Sequence, residues 1–287
     1  MGKRNVLAML VIAFGVANFT TSCSSDSASA SATATTLTAT ASDESQAATI
    51  SDNVDNEVDN YVTTSALNGS GAVKSLVGTT VLTGPTITID KPDSTNFPKT
   101  FTIDYGTTGF IGQRGDTLKG KVIVVVSNKM WKATSTRTMT FNNFSINGNA
   151  VTGKKVLTYD GLIGLHPTWT LSAKDTITRT DGSKVIWNSD RTRERINDNG
   201  TPLIYWDDNY SISGGSNGVN AKGVAFTSVI DANNPLLIEG KWPFFTKGTV
   251  TTTSGNKTVV IDYGDGTKDN KAIVTTNGVT KTITLRK

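Results

Sequence analysis

The stretch Trp169-Thr170-Leu171-Ser172 alternates large apolar side chains with small polar ones. The same period of two recurs at residues 138–141 and 280–285. Successive side chains of a β-strand point to opposite faces of the sheet, so this alternation predicts strands that are buried on one face. Threonine fills most of the outward positions, which suits its β-branched preference for a pleated surface.

Turn signals separate these alternating runs. Asn147-Gly148, Asp181-Gly182 and Asn277-Gly278 each have the composition of a tight hairpin turn. Strands joined by short turns predict an all-β protein, a large antiparallel meander or sandwich of roughly a dozen strands. We assign this β domain to residues 72–287, a length within reach of one domain.

The segment before the β domain has a different composition. Residues 23–48 are dominated by Ser, Ala and Thr, and they predict a disordered tether because they hold too little apolar surface to fold. Beyond it, Ile50, Val54, Val58 and Val62 recur every four residues between acidic positions. This spacing predicts one short amphipathic helix over residues 49–67, with its apolar stripe docked on the domain.

The N-terminus has the order of a secretory lipoprotein signal. Lys3 and Arg4 precede an apolar run over residues 6–19, and Ser22 stands directly before Cys23. We therefore expect residues 1–22 to be a cleaved signal peptide and Cys23 to become the lipidated first residue. An ordinary signal peptide followed by a chance cysteine is the alternative.

Cys23 is the only cysteine, so its position limits the chemistry of the folded region. If it carries the lipid, disulfides, cysteine-ligated metals and thiol catalysis are excluded for the β domain. The apolar run of 14 residues is shorter than the about 20 that a membrane-spanning helix needs. The sequence thus predicts a protein of the outer membrane or cell surface that a lipid holds, with either a periplasmic or an outward orientation.

Charge is divided unevenly along the chain. Residues 23–60 contain seven acidic residues and no Lys or Arg, whereas residues 61–287 contain 26 basic and 17 acidic residues. Outside a cell, a basic surplus of nine favours anionic lipid headgroups, an anionic glycan or another envelope component as partner over nucleic acid. A solvated surface without a specific partner is the simpler interpretation.

Patterns that would indicate an enzyme are incomplete. Residues 214–218 match the G-x-S-x-G pattern, but no helical pattern follows them and His166, the only histidine, lies upstream. We interpret the match as a Gly-rich loop. No local pair of carboxylates has the separation of about 5–9.5 Å that a glycosidase requires. We expect no catalytic residue, no metal and no cofactor; a polysaccharide-acting hydrolase built from distant strands stays open.

The most distinctive segment is residues 185–195, VIWNSDRTRER. In an extended strand its aromatic residue and three of its basic residues share one face. Such a face is suited to an anionic glycan, since guanidinium groups bind carboxylate, sulfate or phosphate in pairs. The alternative is a solvated outer face whose arginines pair with neighbouring carboxylates and cover apolar surface with their stems. The candidate residues are Trp187, Arg191, Arg193 and Arg195.

The chain also contains a weak internal repeat. Residues 101–106, FTIDYG, correspond to residues 259–264, VVIDYG. The copies are either two equivalent half-units or one duplicated structural hairpin. With the predicted anchor and the segment at 185–195, the chain resembles an uncharacterised family of β-rich lipoproteins of Bacteroidota-type bacteria. That resemblance implies no assigned activity. We therefore expect a non-enzymatic binding or structural domain, with a glycan-binding surface protein as the alternative.

Overall fold

A computed structural model describes residues 25–68, 84–91, 95–201 and 207–287. They form one helix and 15 β-strands. The predicted signal peptide and Cys23 lie outside the described residues. The bounds of the elements are α1 (Ser25–Asn68), β1 (Thr86–Ile89), β2 (Lys99–Asp104), β3 (Phe110–Ile111), β4 (Thr117–Val126), β5 (Thr136–Ile146), β6 (Asn149–Ile163), β7 (His166–Thr178), β8 (Lys184–Asn197), β9 (Asn209–Val219), β10 (Ala225–Ile230), β11 (Leu236–Glu239), β12 (Phe245–Ser254), β13 (Lys257–Asp265), β14 (Lys271–Thr276) and β15 (Val279–Thr284).

All the described strands belong to one antiparallel sheet. Its main path runs in chain order from β1 to β15, apart from two short strands. β3 pairs with β4, and β11 lies between β9 and β12, where it extends the line of β10. This arrangement confirms the predicted all-β antiparallel fold with one N-terminal helix.

The predicted hairpin turns occupy the expected positions. Asn147-Gly148 joins β5 to β6 with φ values of 51° and 81°, and Asn277-Gly278 joins β14 to β15 with 52° and 76°. Positive φ at both central residues is the geometry that a two-residue hairpin prefers, and Asn and Gly tolerate it best. Asp181-Gly182 lies in the connection between β7 and β8.

The helix runs through the inside of the curved sheet. The Thr40 hydroxyl accepts a hydrogen bond of 2.7 Å from Asn220, in the turn between β9 and β10. Near the other end of α1, the Thr63 hydroxyl lies 3.6 Å from the sulfur of Met130, between β4 and β5. We name the end with the β5–β6, β7–β8, β9–β10, β12–β13 and β14–β15 turns the entry end, and the opposite end the far end.

Two predictions for the N-terminal segment are corrected. α1 begins at Ser25 rather than near residue 49, so the described part of the predicted disordered tether is helical. The helix is also buried nearly all round from residue 37 to residue 63, instead of exposing its acidic positions to solvent. A polar helix can be buried because the sheet supplies partners for its charges, which composition alone does not reveal. Within the described residues, no helix is sufficiently long and apolar to cross a membrane.

The predicted apolar stripe of the helix belongs to the core. Ile50, Val54, Val58 and Val62 are at most 2% exposed and join one hydrophobic cluster with side chains of the sheet. Each fully buried aliphatic side chain of this kind contributes roughly 1.5–3 kcal/mol relative to exposure. The helix therefore completes the core of the β domain.

We expect Gly120→Ala to destabilise the fold far more than Gly182→Ala. Both glycines have φ near +80°, a region that costs other residues roughly 1–2 kcal/mol. A Cβ at position 120 would lie 2.0 Å from the carbonyl oxygen of Asn143, whereas nothing lies within 4 Å at position 182. Urea unfolding of both variants measures the difference, which should exceed about 2 kcal/mol. Equal losses would contradict the close approach of β4 and β5.

Candidate functional site

The candidate site is the charged interior formed by one face of α1 and the strands around it. Glu44, Asp52, Asp55 and Asp59 are each at most 5% exposed. At 100° per residue their side chains lie within roughly a quarter turn of the helix. An ionised carboxylate is very costly to bury without a partner, so this acidic face requires cations from the sheet.

Four inward-facing basic side chains supply that charge. Lys155 of β6 donates to Asp55 at 2.9 Å, and its nitrogen also bonds the carbonyl oxygen of Ser51 at 2.8 Å. Arg191 of β8 pairs with Glu44 at 3.1 Å and with Asp52 at 3.7 Å. The other two basic residues, Arg137 of β5 and Arg193 of β8, both pair with Asp59 of the helix.

A second group of contacts surrounds α1 at the entry end. Asp43 pairs with Arg179 at 2.6 Å and with Arg286 at 2.9 Å. Its other oxygen accepts the backbone N–H of Ala221 at 2.9 Å. Gln46 accepts two hydrogen bonds from Arg179, at 2.8 and 2.9 Å. Segments from the middle of the sheet and from its C-terminal end therefore hold the same turn of the helix.

The predicted glycan-binding face exists, but it points inward. As predicted, Trp187, Arg191 and Arg193 share one face of β8, and they are 0%, 4% and 1% exposed. The Arg195 side chain is 12% exposed and pairs with Asp208 at 3.4 Å. These residues present no surface to a glycan, so the proposed ligand face is corrected. Period-two alternation fixes which residues share a face without showing which face meets solvent.

Aromatic rings support the buried guanidinium groups. The Arg193 guanidinium carbon lies 3.7 Å from the ring centroid of Tyr210, and that of Arg191 lies 5.0 Å from Trp187. The negative face of an aromatic ring attracts a cation, more strongly when water is excluded. The arginines are thus held between rings of the sheet and carboxylates of α1.

Burial shifts the acid–base behaviour of this interior. Loss of water raises the pKa of both Glu44 and Asp59, and their arginine partners only partly oppose that effect. Burial also raises the pKa of Glu57 to about 7, although its carboxylate accepts the N–H of Gln113 at 3.0 Å. The pKa of Asp175 rises to about 7 for the same reason. Folding therefore brings several carboxyls towards titration near neutral pH.

The G-x-S-x-G match lies in strand β9, which corrects the predicted loop. Ser216 faces the helix, and its hydroxyl donates to Glu44 at 3.1 Å. A Cβ at Gly218 would lie 1.9 Å from the carbonyl oxygen of Ile186, so this glycine permits close strand packing. The chain context is strand on both sides rather than the strand-to-helix turn of a nucleophile elbow. His166, at the far end, pairs with Glu194 at 3.0 Å.

The two IDYG copies form the same local structure. Asp104 accepts the N–H of Gly106 at 2.9 Å, and Asp262 accepts the N–H of Gly264 at 2.9 Å. Both glycines have positive φ, and the tyrosines between them are at most 5% exposed. This repetition favours the interpretation as a duplicated structural hairpin, in which Asp and Gly have the same turn role.

The described residues contain no group of three or more His, Cys, Asp or Glu side chains arranged to hold a metal ion. Comparisons with protein-family models, curated proteins and solved structures find no match to this chain. The resemblance to a lipoprotein family stays a prediction. The interior is therefore interpreted from its own geometry. In it, paired charges hold a polar helix inside the sheet.

Sequence reasoning missed the partners of the arginine strand. The carboxylates lie in α1, which is separated from β8 by more than a hundred residues. One signal points to this pairing. A segment with seven acidic and no basic residues precedes a domain with a basic surplus of nine, which is the composition of two complementary parts.

We expect Lys155→Met to destabilise the protein by roughly 3–5 kcal/mol, because it leaves Asp55 buried without its cation. Lys121→Met is the matched control, since Lys121 pairs with Asp104 at 2.8 Å on the surface. That variant should lose less than about 1 kcal/mol. Adding Asp55→Leu to Lys155→Met should recover much of the loss. Equal stability of the two single variants in urea would contradict the buried position of α1.

The stability of Glu57→Gln relative to the parent should depend on pH. The folded protein holds the Glu57 proton to about pH 7, whereas the unfolded chain releases it near 4.5. Between these values the folded state binds more protons, so this group lowers the unfolding free energy as pH rises. Glutamine removes that contribution. The unfolding free energy of the variant relative to the parent should therefore rise by roughly 2–3 kcal/mol between pH 4.5 and pH 8.

Urea unfolding at both pH values measures this gain. Asp181→Asn is the control, since the pKa of Asp181 is lowered by its bonds to Ser183 and the group stays ionised over this range. A pH-independent difference between the parent and Glu57→Gln would contradict the burial of Glu57 against the β3–β4 connection.

Proposed function

We propose that this protein is a lipid-anchored lipoprotein of the outer membrane or cell surface, whose β domain serves binding or envelope structure without catalysis. The signal-like N-terminus supports the anchor, because Cys23 follows an apolar run and a small residue. The geometry of α1 adds an argument for how the anchor is used. The helix begins at Ser25, two residues after Cys23, and it continues into the centre of the sheet.

One observation carries this proposal: the segment next to the anchor is fixed inside the domain by buried ion pairs. A lipid on Cys23 would therefore connect to the β domain through a helix rather than through a flexible tether. The Cα atoms of Ser25 and Thr40 lie roughly 22 Å apart along the helix axis. The entry end would face the anchoring membrane at about that distance, and the far end would face away from it.

A binding role has to use the outside of the domain. Of the arginines that suggested an anionic glycan, Arg191 and Arg193 pair with carboxylates of α1, and Arg195 pairs with Asp208. An anionic glycan or another envelope component would need a different surface. This restriction favours a role in which the rigid domain presents its far end or its outer face to a partner.

Cys23→Ala should abolish lipid labelling and release the protein from the membrane fraction. Cells that express the parent are fed an alkyne-bearing fatty-acid analogue, and the membrane fraction is analysed with and without detergent. Thr20→Leu is the control, because it introduces the residue that a lipobox usually carries and should keep the label. An unlabelled parent, or a label that persists in Cys23→Ala, would contradict the proposed lipid anchor. Added protease on intact cells then distinguishes the outward from the periplasmic orientation.

A further inference from the structure

The hairpin between β6 and β7 has an apolar tip. Leu165 is 88% exposed, Leu162 63% and Ile163 60%. The last pair of the hairpin is Ile163 with His166, so a two-residue connection of Gly164 and Leu165 closes it. Gly164 has a φ of 64°, which suits the first position of such a turn. The turn itself needs nothing apolar beside this glycine, so the exposed aliphatic side chains require another explanation.

The tip extends beyond its backbone pairing with the neighbouring strands. On one side, backbone bonds from residues 134 and 135 reach β6 only as far as Tyr159. On the other side, the pairing of β8 with β7 begins at Thr168 with Glu194. Residues 160–167 therefore pair only with each other and form a two-stranded projection from the paired sheet, in which four residues of β6 span roughly 13 Å. A projecting apolar tip is accessible to a large partner.

Aromatic and basic side chains surround the base of this projection. Trp131, in the β4–β5 connection, is 45% exposed and packs edge-on against Tyr159 with ring centroids 5.5 Å apart. It also lies 6.0 Å from the ring of Trp169. Exposed Lys129 and Lys132 flank it in the same connection. The tip thus carries aliphatic side chains, and its base carries the exposed Trp131 between two exposed lysines.

We propose that the tip of the β6–β7 hairpin inserts into a lipid bilayer with anionic headgroups. Aliphatic side chains suit the acyl region, the exposed Trp131 suits the interface, and Lys suits the phosphate layer. The acidic groups at the base are engaged within the protein. Asp160 accepts from Thr170 at 2.8 Å, and Glu194 pairs with His166. The basic side chains exposed at this site are Lys129 and Lys132, which are suited to the phosphate groups of a bilayer.

The position of the tip identifies which bilayer it would meet. β6 begins at the entry end, where α1 enters, and finishes at the far end. If Cys23 is lipidated, the tip faces away from the anchoring membrane and contacts a second membrane surface. Only the identity of this second membrane rests on the proposed function; the insertion of the tip does not.

The test uses the chain from residue 23 onward with Cys23→Ser, which keeps every residue that the structure describes and removes the lipid. It is sedimented with vesicles of phosphatidylethanolamine and phosphatidylglycerol, or with vesicles of phosphatidylcholine. We expect binding to the anionic vesicles. The triple variant Leu162→Ser, Ile163→Ser and Leu165→Ser should weaken it at least about tenfold, or about 1.4 kcal/mol. Lys129→Gln with Lys132→Gln should remove the preference for phosphatidylglycerol.

The matched control replaces three exposed aliphatic residues elsewhere on the sheet, Val229, Ile273 and Val279, by serine. They are 62%, 46% and 72% exposed and lie on three different strands. This control should bind as the parent does, with unchanged circular dichroism in both triple variants. Failure of the parent to bind, equal binding to both vesicle types, or equal loss in the control would overturn the proposal. So would a change of oligomeric state with the tip variant in place of lost vesicle binding. None of these outcomes depends on whether Cys23 carries a lipid.

Discussion

The whole structure depends on the match between the acidic face of α1 and the basic interior of the sheet. Neither the helix nor the sheet would be stable alone. Without the helix, Lys155, Arg191 and Arg193 would be uncompensated charges inside a curved sheet, and without the sheet a Ser/Ala/Thr-rich helix would have little reason to form. Buried ion pairs add little net stability compared with apolar packing. What they provide here is position, because only one placement of the helix brings each carboxylate to its cation.

This constraint ties the position of the domain to that of its N-terminal segment. Asp43 and Asp59 are 16 residues apart. Asp43 pairs with arginines just after β7 and β15, whereas Asp59 pairs with arginines within β5 and β8. Sliding the helix along its axis would separate both sets of pairs at once and would leave several charges unpaired. A segment composed like a flexible linker thus acts as a rigid element. The helix that begins at Ser25 is thereby connected to the centre of the domain rather than to its edge.

The sequence predicted the parts of the fold that local patterns determine. The period of two identified the strands, and the Asn-Gly pairs located their turns, because both features depend on neighbouring residues. The stripe at Ile50, Val54, Val58 and Val62 identified the helix for the same reason. The helical segment from Ser25 and the inward direction of Arg191 could not be predicted, since each depends on partners more than a hundred residues away. A pattern of alternation is the same whichever face of a strand is buried.

The filled interior also changes where function has to be sought. Polar residues that look available in the sequence are used to hold the helix, and Ser216 and the arginines of β8 are examples. Residues that do not suit their local structure are more informative about function. A tight turn favours Gly and small polar residues, yet Leu165 follows Gly164 at the tip of a projecting hairpin with two further aliphatic neighbours. Conflicts of this kind concentrate at functional sites, because selection for a partner outweighs the cost of exposure. In this protein the polar interior serves structure, and the apolar projection is the feature that structure does not require.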